Sequence, residues 1–454
     1  MVCNLKDYFR PMSVRQTSTL SAGFHAPLMT TYRPPIIRRT DWINPLVMLS
    51  LGVIGVLFIK SAERFSGGSE WAQQLVWFAV GVAFYITLAS LDYHIWMKYA
   101  WVVYLGSIVL LMLLWTGLGQ VRGGAHVGDG ARRWLGVGSY TIQPSEFAKI
   151  GTIIMLSFIL AKSPLGSFRD SFTMLVKIAV LLAAPMMLIF LQPDLGSSLA
   201  LFPTVFALLY VSNLSARFFV TVFGLSVLGL IIVGMDTKNY ENFLKAKMVL
   251  NHQITQEQYN DFLQTYHLSA VDGSGEYQKR SWLPLKDYQR DRIASFMEPE
   301  VVDPQGIGVA WNQKQSLIAV GTGGLTGKGY ENGTQARLGY LPHRVATSDF
   351  IMAVFLEETG FIGGLAVIGL YAILLGNTLR IAWLARDRFG QLLCVGVAVL
   401  FMVHVFVNIG MVQGLMPVKG IPLPLMSYGG SFVLTCCILM GLVQSVHRHS
   451  REAV

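Results

Sequence analysis

Apolar runs long enough to cross a hydrocarbon core recur along the chain, and runs of that length predict helices rather than strands. They fall at 43–60, 75–91, 99–119, 147–161, 172–192, 195–212, 218–235, 350–379, 391–412 and 432–446. The fold class read from them is an all-α polytopic membrane protein. It has ten transmembrane helices and a large extracytoplasmic loop between helices 7 and 8. The fourth and tenth runs are short. The fifth and sixth are separated by Gln192-Pro193-Asp194 alone, and Pro193, which lacks a backbone donor, predicts a tight hairpin. The organisation that follows is an N-terminal tail (1–41), helices 1–7 (42–235), a loop (236–348), helices 8–10 (349–446) and a C-terminal tail (447–454).

Two segments break the apolar pattern, and both are expected on the outer side. Residues 120–145 hold six glycines and the run Gly-Ala-Arg-Arg-Trp. Residues 236–348 form a polar stretch of 113 residues, long enough to carry structure or function of its own. Its first part, about 238–283, has the spacing of two short amphipathic helices, a small insertion. Its second part, about 287–348, is denser in Gly, Pro, Arg and Asp and is the place expected for the chemistry.

Composition supports the membrane reading. Of the 454 residues 53% are hydrophobic and 13% charged, against roughly 25% charged in a soluble domain. This excludes a disordered chain and a disulfide-rich secreted one. The net charge of +9 reports orientation and anionic lipid rather than nucleic acid. Fifteen Lys and Arg fall on the side of the two tails and six in the short loops opposite, which places both termini in the cytoplasm. The first 41 residues show no apolar core of a cleavable signal. Cys3, Cys394, Cys436 and Cys437 suggest neither a disulfide framework nor a zinc site.

Ionisable residues within apolar runs are costly and usually paired or functional. Glu146 and Lys149 share a helical face at i and i+3. A structural ion pair and a substrate-binding role weigh equally there. Asp194, in the hairpin, is read first as a helix cap. Asp349 opens the eighth span, where Thr347 and Ser348 could cap equally well, so a carboxylate is not needed for capping alone. Glu357 and Glu358 lie about 12–13 Å further along that helix at 1.5 Å per residue, and a buried network is the favoured reading. The 416–431 connection holds three prolines and three glycines at membrane depth, backbone tolerated where protein buries it or it lines a cavity. Ser427 and Tyr428 are expected to offer hydroxyls to that cavity. The Gly-rich run at 321–329 resembles a phosphate loop but lacks its first Gly and the Ser or Thr after Lys328. A basic, Gly-rich outer cavity with one carboxylate suits an anionic lipid-linked substrate. Arg and Lys would hold a pyrophosphate, and Asp349 would take a proton from an attacking hydroxyl.

Several motifs together resemble the SEDS family (shape, elongation, division and sporulation), membrane glycosyltransferases that polymerise peptidoglycan. They are Gly130-Ala-Arg-Arg-Trp134, Gln143-Pro-Ser-Glu-Phe-Ala-Lys149, Gln192-Pro-Asp-Leu-Gly196, Asp287-Tyr-Gln-Arg-Asp-Arg292 and Gln315-Ser-Leu-Ile-Ala-Val-Gly321. Further along come Gly327-Lys-Gly329, Gly333-Thr-Gln335, Ser348-Asp-Phe-Ile351, Asn408-Ile-Gly-Met411 and Pro422-Leu-Pro-Leu425 through Ser427-Tyr-Gly-Gly-Ser431. The Gly-Thr-Gln and Asp-Tyr-Gln-Arg runs are more similar to the elongation-type member than to the division-type one.

The resemblance implies polymerisation of lipid II into glycan strands outside the bacterial cytoplasmic membrane, in cell elongation and shape maintenance. The family's essential Asp falls on Asp349, as general base for the 4-hydroxyl of an acceptor GlcNAc. The hydroxyl oxygen would attack the anomeric carbon of the nascent strand and expel undecaprenyl pyrophosphate. The substrate-binding set expected beside it is Arg133, Trp134, Glu146, Lys149, Asp194, Gln315, Lys328, Arg344, Ser427 and Tyr428. The implied partners are a class B penicillin-binding protein and the cell-elongation complex. No cofactor is identified, and a divalent cation, Mg or Mn, is compatible with Asp349 and a pyrophosphate. In the family the approach to the Asp usually reads Leu-Pro-Glu-x-His-Thr-Asp. Here Leu341-Pro-His-Arg-Val-Ala-Thr-Ser-Asp349 is two residues longer and lacks that Glu. The alternatives are a lipid II flippase or other transporter, which Glu357 and Glu358 would suit, a division-type member of the same family, and a noncatalytic scaffold for the transpeptidase.

Overall fold

The computed structural model describes residues 40–116, 119–121, 132–137, 140–163, 168–192, 195–303, 307, 308, 310–418 and 420–450. Most of the tails, much of the Gly-rich segment 120–145, and Asp194 with Pro193 lie outside the described residues.

Each of the ten apolar runs holds a helix. Among the described residues, eight helices are long and apolar enough to cross a membrane. They are α1 (Ile43–Glu63), α2 (Glu70–Ser90), α5 (Pro144–Lys162), α6 (Phe168–Leu191), α8 (Ala216–Leu250), α15 (Ile351–Leu384), α16 (Arg388–Val412) and α17 (Gly430–His449). Two shorter apolar helices, α4 (Ala100–Leu113) and α7 (Leu195–Val211), occupy the third and sixth predicted runs. A short α3 (His94–Lys98) leads into α4.

α5, α16 and α17 are buried along most of their length and form the centre of the bundle. α2 packs along α17, α4 along α5, α7 along α16, and α1 along α15. The α2–α17 contact is close because glycines face it. A Cβ on Gly81 would lie 2.7 Å from Cys437 Sγ, and one on Gly441 would lie 3.0 Å from Tyr85 Cα. Cys394, Cys436 and Cys437 are buried free thiols. At one end of the bundle Asn377 donates to Asp41 (2.6 Å), and Arg448 donates to Thr40 Oγ1 (2.8 Å). The polar loops gather at the opposite end.

Three features depart from the sequence reading. The Gly-rich segment 120–145 is not all loop. Strands β1 (Gly119–Val121), β2 (Arg132–Val137) and β3 (Tyr140–Ile142) form an antiparallel sheet in that order, with Leu135 opposite both Gly119 and Ile142. The seventh apolar run does not end in a loop near 235. α8 continues to Leu250, because Asp236 on its side is paired with the buried guanidinium of Arg290 (2.8 Å).

The insertion is then built around that helix extension, α9 (Gln256–Tyr266) and a single 3-10 turn, Tyr277–Lys279. Thr255 caps α9 with a full capping box. Two small clusters hold the insertion, Tyr240, Phe243 and Tyr277 in one, Ala246, Tyr259 and Phe262 in the other. α10 (Asp287–Met297), α11 (Pro299–Val302), α12 (Trp311–Gly323), α13 (Thr334–Arg337) and α14 (His343–Thr347) complete the polar stretch.

The third departure is a break inside α15. Gly360 has φ 69° and ψ −166°, a region essentially restricted to glycine. The carbonyls orphaned by the break need partners. Lys328 N donates to Glu357 O (3.0 Å) and Gly329 N to Glu358 O (2.9 Å). The run that resembled a phosphate loop is therefore the seat of this break. Glu357 and Glu358 lie at the end of a short helical segment, not deep within a continuous span.

Candidate active site

Asp349 lies between α14 and α15, half-buried, on a turn whose neighbours Ala346, Thr347 and Phe350 are fully buried. The turn is tied on three sides. Phe350 N donates to Val345 O (3.0 Å), Tyr428 N donates to Thr347 O (2.9 Å), and Asn408 Nδ2 donates to the Asp349 carbonyl (2.8 Å). The carboxylate faces Gly420, which has φ +64°. A Cβ at Gly420 would lie 3.3 Å from Asp349 Oδ2.

Gly420 belongs to the proline-rich connection between α16 and α17, irregular backbone enclosed by the bundle. Ile421, Leu423, Leu425 and Met426 are buried. Its polar backbone groups are met by side chains of the surrounding helices, as burial requires. Asn408 Nδ2 donates to Ile421 O (2.8 Å), Tyr371 donates to Pro424 O (2.5 Å) and Gln74 Nε2 donates to Ser427 O (2.9 Å). The segment is thus held rigidly beside Asp349.

One helical turn before Asn408 on α16, His404 contacts the next carbonyl, with Nδ1 3.1 Å from Pro422 O. Its Nε2 lies 3.3 Å from Lys149 Nζ, and Lys149 donates to Glu146 Oε1 (2.8 Å). Lys149 is fully buried and Glu146 nearly so. With Nδ1–H donating to the carbonyl, Nε2 is left to accept from the ammonium, so His404 is neutral. The Lys149 ammonium also lies 5.5 Å from the centre of the Phe432 ring. A buried charge is tolerable when paired in this way. Through residues 420–422, the Glu146–Lys149–His404 chain and Asp349 grip neighbouring residues of one segment.

A third group stands on the other side of Thr347. Glu63 accepts from the amides of Glu70 (2.7 Å) and Trp71 (2.9 Å), His343 Nε2 is 3.2 Å from Glu63 Oε1, and Thr347 Oγ1 donates to Glu70 Oε2 (2.7 Å). One ligand atom from each of Glu63, Glu70 and His343 lies within 4.8 Å of the others, a donor set suited to a divalent cation. His343 occupies the stretch where the family's usual Glu is lacking.

The structure sorts the predicted site residues. Asp349, Tyr428 and the backbone of 420–422 come together, and Arg344 is exposed on the adjoining α14. Glu146 and Lys149 stand behind this surface, buried. Arg133 Nε donates to Gln192 O (3.0 Å), tying β2, which also carries Trp134, to the end of α6. Gln315 is buried on α12. Asp194 lies outside the described residues.

Two expectations are corrected. Ser427 does not offer its hydroxyl to a cavity, because it is fully buried and Oγ accepts from Leu423 N (2.7 Å), closing the turn. Lys328 does not project toward a substrate either. It donates to Glu357 Oε1 (2.6 Å) and Thr334 Oγ1 (2.8 Å). Glu357 also accepts from Thr334 N (2.8 Å), and Glu358 accepts from Ser61 (2.5 Å) and Glu331 N (3.0 Å). These acids form the buried network favoured by the sequence. Tyr428 donates to Gln73 (2.7 Å).

Sequence reasoning gave no site role to His404, to Gly420, to the Glu63–Glu70–His343 group, or to Asn408, which entered only as part of a motif. A signal for His404 and Asn408 was present. They are an imidazole and an amide at i and i+4 in an otherwise apolar run, hence on one helical face.

Known proteins share this arrangement of helices. The profile of the FtsW, RodA and SpoVE family, described as a cell cycle protein, matches residues 41–270 and 279–452. The peptidoglycan glycosyltransferase RodA of Treponema pallidum (strain Nichols) is 34% identical over 90% of this chain and 97% of its own length. The peptidoglycan glycosyltransferase MrdB of Escherichia coli (strain K12) is 32% identical over 91% of this chain and 97% of its own. A chain from a solved peptidoglycan synthase complex that coordinates polymerization and crosslinking superposes with a TM-score of 0.66. It is 25% identical and covers 91% of this chain and 99% of its own. With a family profile matched over nearly the whole bundle and relatives this similar end to end, the chain belongs to the FtsW/RodA/SpoVE family.

Proposed function

We propose that the chain is a peptidoglycan glycosyltransferase of the elongation type, polymerising lipid II with Asp349 as general base. The observation that carries the reading is the placement of Asp349. It is a half-buried carboxylate on a turn pinned by Asn408 and Tyr428, facing Gly420, where a Cβ would stand 3.3 Å from Oδ2. The relatives' names support peptidoglycan glycosyltransfer, and lipid II as the donor and acceptor is part of this proposal. In this reading the chain spans the cytoplasmic membrane ten times, with both termini inside and Asp349 outside. Its partner in this reading is a class B penicillin-binding protein within the cell-elongation complex; a structural relative from a synthase complex that coordinates polymerization and crosslinking supports a crosslinking partner.

The Asp349 carboxylate removes the proton of the acceptor GlcNAc 4-hydroxyl. That oxygen forms the new bond to the anomeric carbon of the nascent strand, and the bond to undecaprenyl pyrophosphate breaks. Asn408 fixes the carbonyl of Asp349, and the Glu146–Lys149–His404 chain fixes the 420–422 backbone facing it. A carboxylate held this way needs no reorganisation as the proton moves. A divalent cation, Mg or Mn, would be held by Glu63, Glu70 and His343, whose two carboxylates and imidazole fit it. Such a cation would supply positive charge to a pyrophosphate. The transporter reading loses its support, since Glu357 and Glu358 are tied to the 328–335 loop.

The test is release of undecaprenyl pyrophosphate by the purified chain with a class B penicillin-binding protein and lipid II. One pyrophosphate lipid per disaccharide added is expected from the wild type. None is expected from Asp349→Asn at wild-type thermal stability. Release by the variant at the wild-type rate would remove Asp349 from the chemistry.

A further inference from the structure

Trp282 is exposed at 76%, more than any other large hydrophobic residue among the described residues. Its height above the bundle follows from α8. That helix begins at Ala216, and Asp236 is twenty residues further, about 30 Å at 1.5 Å per residue, the thickness of a hydrocarbon core. Up to that point α8 presents bare apolar side chains, with Val220, Phe223, Leu230 and Met235 all more than half exposed. From Asp236 onward its side chains are mostly buried or polar. Asp236 therefore marks the boundary between hydrocarbon and headgroups at the loop-bearing end.

The segment carrying Trp282 is fastened to that residue. Ser281 Oγ donates to Asp236 Oδ1 (2.8 Å), and Arg290 Nε donates to Asp236 Oδ2 (2.8 Å). Arg290, fully buried, also donates to Leu283 O (3.2 Å) and to Leu285 O. Five residues, Ser281 to Leu285, are thus fixed level with Asp236. Leu283 and Leu285 are half-exposed, Pro284 is exposed, and Lys279 and Lys286 flank the run. Trp with neighbouring Lys is the composition of an interfacial anchor. Indole and ammonium favour the headgroup layer, and the aliphatic parts reach the acyl chains.

We propose that Ser281–Leu285 is a membrane-surface anchor, with Trp282 inserted into the lipid headgroup layer. It fixes the position of α10 and the insertion over the bilayer. The occupant is lipid, because the fastening to Asp236 sets the level of the segment independently of any partner protein.

The test uses the full chain in vesicles of phosphatidylethanolamine and phosphatidylglycerol, with Cys3 replaced by Ser. An environment-sensitive fluorophore is attached at Trp282→Cys, at Pro284→Cys, which retains the indole, or at Asn251→Cys. Asn251 ends α8 about 22 Å above Asp236 by the same rise and is exposed. At 282 and 284 the expected result is at least about threefold stronger quenching by headgroup-spin-labelled lipid than at 251, with weaker quenching by aqueous iodide. Equal iodide quenching at all three positions, with no quenching by labelled lipid at 282 or 284, would overturn the anchor. The exposed Trp would then be a surface for protein.

Discussion

Lys149 Nζ lies 3.3 Å from His404 Nε2, although the two residues are 255 positions apart in the sequence. The contact joins α5 to α16 inside the bundle and completes a line from Glu146 to the carbonyl of Pro422. Removing one charge of such a pair strands the other. Lys149→Met is expected to cost roughly 3–5 kcal/mol, and Glu146→Gln a similar amount. The double variant should be far less destabilised than the sum. Denaturant unfolding in detergent for the four proteins checks this, and strict additivity would show that the two charges are not coupled in the folded chain.

Gly420, in the proline-rich connection, faces the Asp349 carboxylate. Alanine at φ +64° costs about 1–2 kcal/mol of backbone strain, and its Cβ would stand 3.3 Å from Asp349 Oδ2. Gly420→Ala is expected to lower the glycan polymerisation rate at least about tenfold, the equivalent of ~1.4 kcal/mol in the barrier, with most of the protein still folded. An unchanged rate would mean that this face of Asp349 is not used.

Gly360 breaks α15 with φ 69° and ψ −166°. A non-glycine residue there costs on the order of 1–3 kcal/mol in backbone strain alone. Its Cβ would also lie 2.4 Å from Gly327 N. Gly360→Ala should therefore be among the most damaging single methyl additions in the chain, read as a fall in thermal midpoint in detergent. A midpoint within a degree of wild type would show that the break is not required.

Glu298 closes α10 and links it to the α8 extension. Burial raises its pKa, but the hydroxyl of Tyr266 and the ammonium groups of Lys238 and Lys245 outweigh this and leave the carboxyl below the usual range. A lowered folded-state pKa adds stability above the unfolded value that is lost as pH falls through the folded one. The insertion should therefore loosen on the acid side of pH 4.5, the ordinary value of this group. Glu298→Gln should flatten that dependence. Hydrogen exchange across 236–303 as a function of pH measures it.

The helices were legible because lipid demands long apolar runs, and each predicted run holds a helix. The i, i+3 spacing likewise made the Glu146–Lys149 pair legible, and the structure pairs them at 2.8 Å. What the sequence hid was set by tertiary partners. α8 runs on to Leu250 because Arg290, 54 residues past Asp236, neutralises that carboxylate. Lys328 was read as a substrate ligand because its partner Glu357 is brought to it only by the break at Gly360. Ser427 was read as cavity-facing because nothing local reveals that its hydroxyl closes the turn to Leu423. His404 and Asn408 carried a local signal, two polar groups one turn apart on an apolar helix, yet their targets at 420–422 and 349 were invisible without the fold.

The central claim is that Asp349 is the base of a glycan polymerase. Its most direct measurement is the length-resolved product formed from fluorescent lipid II by the purified chain and a class B penicillin-binding protein, for wild type and Asp349→Asn at equal folded concentration. A ladder of long glycan from the wild type and no product from the variant is the predicted result. An equal ladder from the variant would contradict the assignment of Asp349, and no ladder from either, with a competent partner, would contradict the polymerase reading itself.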